Sequence, residues 1–392
     1  MNHIKKFDQW LLENAFTTPV GIAVLGAPAG GKSYSVKKLS DVSNDVRVER
    51  TLKKGVTLTV DILRKEFASK NPVEQLSGFV KTFYLMKQRA KEDEKEFGKW
   101  FSDIKKLWIE KFSQFLPDLK VTVENDELLF NGKPSLDNLS DLEKVDTSGL
   151  LNKLDRYNDY KRVVRYFQDL KQEDAVQKKL DVSYDEAGDE PNKIINNVKK
   201  LHKQGYVTDV FLIHPKNIAS NLIQNYYRVV TGGDGGRDSS EVIVQAYLDI
   251  EKNKSIYTKN AEEVVKVKSG ELQKASKPLK RANVPDDERR GDKPIDLFVE
   301  VQPMEPKEAF TTFSKKLSPE EKNIFVACLK YARGFENMPT EAIKALDDIT
   351  KTMSNEEALK VLVDASASKK YVFEYGGITP KFIEKAQKVL SK

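Results

Sequence analysis

Residues 19–25, Pro-Val-Gly-Ile-Ala-Val-Leu, form a continuous apolar run, the pattern of a strand buried on both faces of a parallel sheet. The run enters a glycine-rich segment and then Tyr34-Ser35-Val36-Lys37-Lys38-Leu39, which reads as a helix. Gly55–Val60 predicts a second strand, closed by Asp61. From about residue 73 to 179 the period changes from two to between three and four, clearest at Trp100, Phe101, Ile104, Leu107, Trp108, Phe112 and Phe115. This spacing predicts a mainly helical insertion. Within it, 121–124 and 128–132 suggest a small hairpin, and 157–171 a further helix.

The strand and helix alternation resumes at Leu180–Asp185. A helix carrying Ile194, Ile195, Val198 and Leu201 follows, with Gly205 placed to end it in left-handed geometry. Val207–Ile213 predicts another strand, and Ile218, Ala219, Leu222, Ile223 and Tyr226 another helix. After the break Gly232–Arg237, a helix runs through Ile243, Ala246, Tyr247 and Ile250. Residues 252–293 are Lys-rich and read as a surface loop, and Ile295–Val301 as a late strand. From Ser318 onward come short helices, with Ser318–Glu321 and Ser354–Glu357 as capping boxes and Thr379-Pro380 as another start. The expected fold class is α/β: a core with a parallel sheet over 1–72 and 180–303, a helical insertion over 73–179, and a C-terminal helical module over 304–392.

Composition narrows the class. At 392 residues the chain exceeds what one core serves, and with 9% aromatic residues it can build real cores. Its single cysteine, Cys328, excludes an internal disulfide and a Cys-based zinc site. The opening segment is amphipathic and no run is long enough to span a bilayer, so a cytoplasmic protein without a membrane partner is expected. The net charge of +6 is spread over alternating Lys and Glu and does not by itself imply nucleic acid. Locally, Lys266–Arg281 carries six basic residues against Glu271, with Arg289-Arg290 beyond. That stretch reads as a phosphate-tracking segment or as a solvated linker, and its lack of aromatic residues favours the linker.

Gly26–Ser33 fits G-x-x-x-x-G-K-S between a buried strand and a helix. Glycines let backbone N–H groups turn inward around a phosphate, a helix N-terminus adds positive potential, Lys32 reaches the β- and γ-phosphates, and Ser33 supplies an oxygen to Mg²⁺. The expected nucleotide contacts are Gly26, Ala29, Gly30, Gly31, Lys32, Ser33 and Tyr34, with ATP and Mg²⁺ as cofactors. Asp61, at a strand end, reads as a proton acceptor for an attacking hydroxyl, as a helix N-cap, or as both. Asp185 reads as an acidic Mg²⁺ ligand if it ends its strand, and otherwise as part of the acidic loop continued by Glu186, Asp189 and Glu190. Arg228 and Arg237 flank a glycine hinge and suit a lid closing on transferring charge; the competing reading is a solvated loop. His202 and His214 read as structural, and Trp100 and Trp108 as core.

In order, G-A-P-A-G-G-K-S, V-T-L-T-V-D-I-L-R, V-S-Y-D-E-A-G, Q-G-Y-V-T-D-V-F-L-I-H-P and Y-Y-R-V-V-T-G-G-D-G-G-R resemble the zeta-toxin family of P-loop kinases and, less closely, the polynucleotide-kinase group. The resemblance covers roughly 20–250 without the insertion. It implies that Asp61, followed by Arg64, acts as base toward a substrate hydroxyl and that Arg228 and Arg237 form the lid. Ala29 stands where the family carries glycine and Tyr34 where it carries threonine. The resemblance leaves the acceptor open. Three functions follow as expectations: a phosphotransferase acting on a hydroxyl, a nucleotide-binding or degenerate kinase-fold protein whose insertion or C-terminal helices contact a protein partner, including a phage or virion component, and a polynucleotide kinase.

Overall fold

The computed structural model describes residues 19–30, 32, 51, 55–57, 119–135, 172–232, 239–268, 292–368, 370–371 and 377–391, with isolated positions between 80 and 110. The chain divides into two compact units, Met1–Thr57 with Lys178–Lys392, and Leu58–Gln177.

In the first unit, β1 (Val20–Leu25) and β2 (Val56–Thr57) precede the long excursion through the second unit. They join β6 (Val182–Glu186), β7 (Val207–Ile213), β8 (Ala261–Lys268) and β9 (Ile295–Gln302) in a sheet ordered β2-β6-β1-β7-β9-β8. Every described pairing in it is parallel. The fold class is therefore α/β around a parallel sheet. β1 and β7 are buried along their whole length, as the unbroken apolar run of β1 requires. Val20, Ile22 and Val24 share one face with Phe211, Ile213, Val299 and Val301.

The other face is covered by α1 (Pro191–Lys203) and α3 (Ser240–Lys259). Tyr257 of α3 stacks on Phe298 of β9, 6.0 Å between ring centres. Between α1 and α3 in sequence comes α2 (Ala219–Thr231), ended by Gly232 at φ 71°, whose N–H donates to the Arg228 carbonyl. Gly205 is likewise left-handed just past α1.

One expectation is overturned. Residues 252–268 are not surface loop: α3 continues to Lys259 and β8 forms the edge of the sheet beside β9. Its polar alternation suits an edge strand that has one partner and half-exposed faces. Lys266, expected in a basic segment, pairs with Glu300 across that ladder at 3.1 Å.

Among the described residues five further helices follow β9: α4 (Pro306–Ser314), α5 (Pro319–Ala332), α6 (Thr340–Thr350), α7 (Asn355–Ala367) and α8 (Pro380–Leu390). Both expected capping boxes are present, at Ser318 with Glu321 and Ser354 with Glu357, and Thr379 caps α8. These helices belong to the same compact unit as the sheet, with α4, α5 and α6 packed against α2.

The second unit holds a three-stranded sheet, β3 (Val121–Glu124), β4 (Glu127–Phe130) and β5 (Lys133–Pro134), antiparallel throughout. Asn125 and Asp126, at φ 51° and 60°, make the two-residue turn of its first hairpin. Phe83 and Phe101 are buried there, 5.3 Å apart.

Asp61, Arg64, Gly31, Ser33, Tyr34, Arg237, Trp100, Trp108 and the expected helix over 157–171 lie outside the described residues, as does 269–291. Among the described residues no helix is long and apolar enough to cross a membrane.

Candidate nucleotide-phosphate site

β1 occupies the middle of the sheet, and the chain runs outward from it to β2 on one side before crossing to β7 on the other. Ligands of open parallel sheets collect outside the C-terminal ends of the strands at such a reversal. Gly26–Gly30 and Lys32 lie there, directly after Leu25.

Backbone crowding fixes the start of the loop. The Gly26 N–H faces the carbonyls of Glu186 and Ala187, each at 3.2 Å. A Cβ on Gly26 would fall 2.5 Å from the Ile213 carbonyl oxygen, closer than any side chain tolerates. Glycine is thus required by close approach of β7. The chain then turns tightly, with the Gly30 N–H donating to the Ala27 carbonyl at 3.0 Å. Ala29 takes φ 57°, a left-handed conformation that strains an L side chain.

Lys32 stands on the helical residue after the loop and bridges it. Its Nζ donates to the Gly26 carbonyl at 2.8 Å and lies 3.2 Å from Asp185 Oδ1. Both side chains are partly buried, 18% and 28% exposed, so water screens the pair only partially. Asp185 belongs to β6 and is registered opposite Val24, which puts its carboxylate at the ligand edge. Asp181, at the other end of this strand, instead accepts the Val20 N–H at 2.9 Å and pins the entry to β1. Of the two aspartates flanking the run, only Asp185 faces the loop.

The structure therefore brings together Gly26, Ala29, Gly30, Lys32 and Asp185. Arg228 sits on α2, seven residues beyond Asn221, about 10 Å further along the helix axis. Asn221 is buried and its Nδ2 reaches the Pro28 carbonyl at 3.4 Å, tying α2 to the loop. Sequence reasoning passed over Asn221; a polar side chain among the apolar positions of that helix was the available signal. Among the described residues no three His, Cys, Asp or Glu side chains are grouped closely enough to hold a metal ion by themselves.

His214, the residue after β7, is 2% exposed and stacks on Tyr247 at 4.6 Å. Its Nε2 lies 2.6 Å from Glu251. Burial holds its pKa below the usual 6.5 despite that partner. Around Tyr184, on β6, burial with the charge of Glu186 pushes the phenol far above its ordinary range.

No family model matches the chain, and no curated protein matches it.

Proposed function

We propose that the chain is an ATP- and Mg²⁺-dependent phosphotransferase of the zeta-toxin-like P-loop kind, acting on a hydroxyl acceptor. One observation carries the reading: Lys32 is held between the Gly26 carbonyl and Asp185 at the C-terminal edge of a parallel sheet. An ammonium group has three N–H donors, and these two contacts aim it across the loop mouth, where it would meet the β- and γ-phosphates.

The donor set suits a Mg²⁺ that arrives with its nucleotide, since such an ion takes one or two carboxylates and completes its shell with water and phosphate oxygens. Asp185 and Ser33 would hold it. When bound, the ion neutralises charge developing on the phosphates. The loop amides and Lys32 would orient the γ-phosphoryl group, Asp61 would take the acceptor's proton as the P–O bond to ADP breaks, and Arg228 and Arg237 would stabilise the charge in transit.

Calorimetry with ATP and Mg²⁺ tests the binding half of this reading. Lys32→Ala is expected to lower affinity at least tenfold while circular dichroism stays unchanged; equal affinity overturns the assignment. Incubation with γ-labelled ATP and pools of metabolites and oligonucleotides, read by mass spectrometry, tests transfer. A second reading, a nucleotide-binding protein without turnover, draws support from α4, α5 and α6 packed against α2; it predicts binding with no labelled product. Labelled oligonucleotide ends, with binding that weakens steeply in salt, would indicate a polynucleotide kinase.

A further inference from the structure

A cavity of about 250 Å³ opens beside the phosphate loop, between α2 and α4. Ala29 and Gly30 form its floor, Gln224 of α2 one wall, and Met304 with Phe313 and Lys316 the other. The walls are fastened to each other. Phe313 stacks on Tyr227 of α2 at 4.7 Å between ring centres, and Ser220 Oγ donates to the Met304 carbonyl at 2.8 Å. Asn221 fastens the same helix to the loop. The cavity is accordingly preformed.

Its chemistry is that of a ring site. Met304 and Phe313 offer flat or adaptable apolar contact. Gln224 supplies one amide donor group and one acceptor, and Lys316 Nζ lies 5.9 Å from the centre of the Phe313 ring. The volume falls below the roughly 300–1,000 Å³ of pockets that enclose drug-sized ligands, so a planar ring fits and a whole nucleotide does not. Because Ala29 and Gly30 belong to both the cavity and the loop, one molecule can place a ring in the first and phosphates on the second.

We infer that this cavity takes the nucleobase of the nucleotide whose phosphates lie on the Gly26–Lys32 loop. α4, from the C-terminal third of the chain, is then a nucleotide-binding element and not only a packing helix. The inference rests on the phosphate-loop reading, and its test separates the two.

Binding of ADP and of inorganic tripolyphosphate, each with Mg²⁺, is measured on the full chain. Wild type should bind both, and ADP more tightly. Phe313→Ala should weaken ADP by roughly 5- to 100-fold, the range that loss of aromatic stacking on a base produces, and leave tripolyphosphate within about twofold. Thr312→Trp, which lines the cavity without a fully buried side chain, should fill it and produce the same split without disturbing the Tyr227 stack. ADP affinity unchanged in both variants overturns the inference and leaves the phosphate loop standing. Loss of both ligands alike in both variants also overturns it, as an effect on the fold. Failure of wild type to bind either ligand removes the phosphate-loop reading and this inference with it.

Discussion

His214 Nε2 lies 2.6 Å from Glu251 Oε2 across the junction between the end of β7 and α3. The ring stacks on Tyr247, and Lys254 and Glu300 complete its charged surroundings. Burial disfavours the imidazolium more than the Glu251 hydrogen bond favours it, so the folded pKa lies below 6.5.

The direction of that shift fixes a pH dependence. Above 6.5 His214 is neutral in both states and the fold keeps its full stability. As pH falls below 6.5 the unfolded chain binds a proton that the folded chain resists, and stability drops until the folded pKa is passed. For Glu251, burial opposes ionisation but hydrogen bonds from Lys254 and His214 outweigh it and hold the carboxyl below 4.5; its contribution is lost only as pH falls through that lower value. Between pH 7.5 and 5.5 the melting temperature should fall, and His214→Gln should flatten the slope. Parallel wild-type and His214→Gln curves would show that the ring does not couple to folding.

Two substitutions in one loop should have opposite signs. Gly26→Ala brings a methyl group against the Ile213 carbonyl and should cost about 1–3 kcal/mol, as overpacking does. Ala29→Gly releases a left-handed strain of about 1–2 kcal/mol against an added unfolded-state entropy of about 0.5–1 kcal/mol. A net gain of about 0.5–1 kcal/mol is expected. Urea midpoints measure both, and destabilisation by Ala29→Gly would mean that the side chain makes a compensating contact.

The same loop illustrates what a sequence can carry. Gly26–Lys32 is legible because its parts are contiguous and because β1, buried on both faces, announces itself as an apolar run. β7 and β9 are legible from their clusters of aliphatic and aromatic residues, Val210–Ile213 and Leu297–Val299, although the strands also carry buried acidic side chains. β8 is not: Ala-Glu-Glu-Val-Val-Lys-Val-Lys is made a strand by its ladder to β9, a tertiary partner that local pattern does not reveal. Asp185 could be read only conditionally, since its value as a loop neighbour depends on β6 lying beside β1. Asn221 left only the weak signal of a polar residue on an apolar helix face, and Met304 and Phe313 were beyond reach, because the cavity that they line joins three segments distant in sequence.

Arg333, at the end of α5, donates from Nη1 to Asp347 of α6 at 2.7 Å and from Nη2 to Asn355 of α7 at 2.8 Å. A planar fork spans both acceptors, whereas one ammonium group does not. Arg333→Lys should therefore cost about 1 kcal/mol, the net worth of a single lost hydrogen bond. An unchanged urea midpoint in Arg333→Lys would assign both contacts to surface decoration.

Phe325 of α5 is fully buried and stacks on Phe310 of α4, 5.7 Å between ring centres with planes 11° apart. α4 also carries Phe313, so this stack joins the cavity wall to the body of C-terminal helices. Removing the fully buried Phe325 ring leaves a void beside Phe310 and should cost about 3–5 kcal/mol. If α4 depends on α5 for its position, ADP affinity should fall in Phe325→Ala while tripolyphosphate affinity holds, at a temperature where the variant remains folded. Full ADP affinity in a folded Phe325→Ala would mean that Tyr227 alone positions Phe313 and that the helices beyond Ser314 are energetically separate from the proposed nucleotide site.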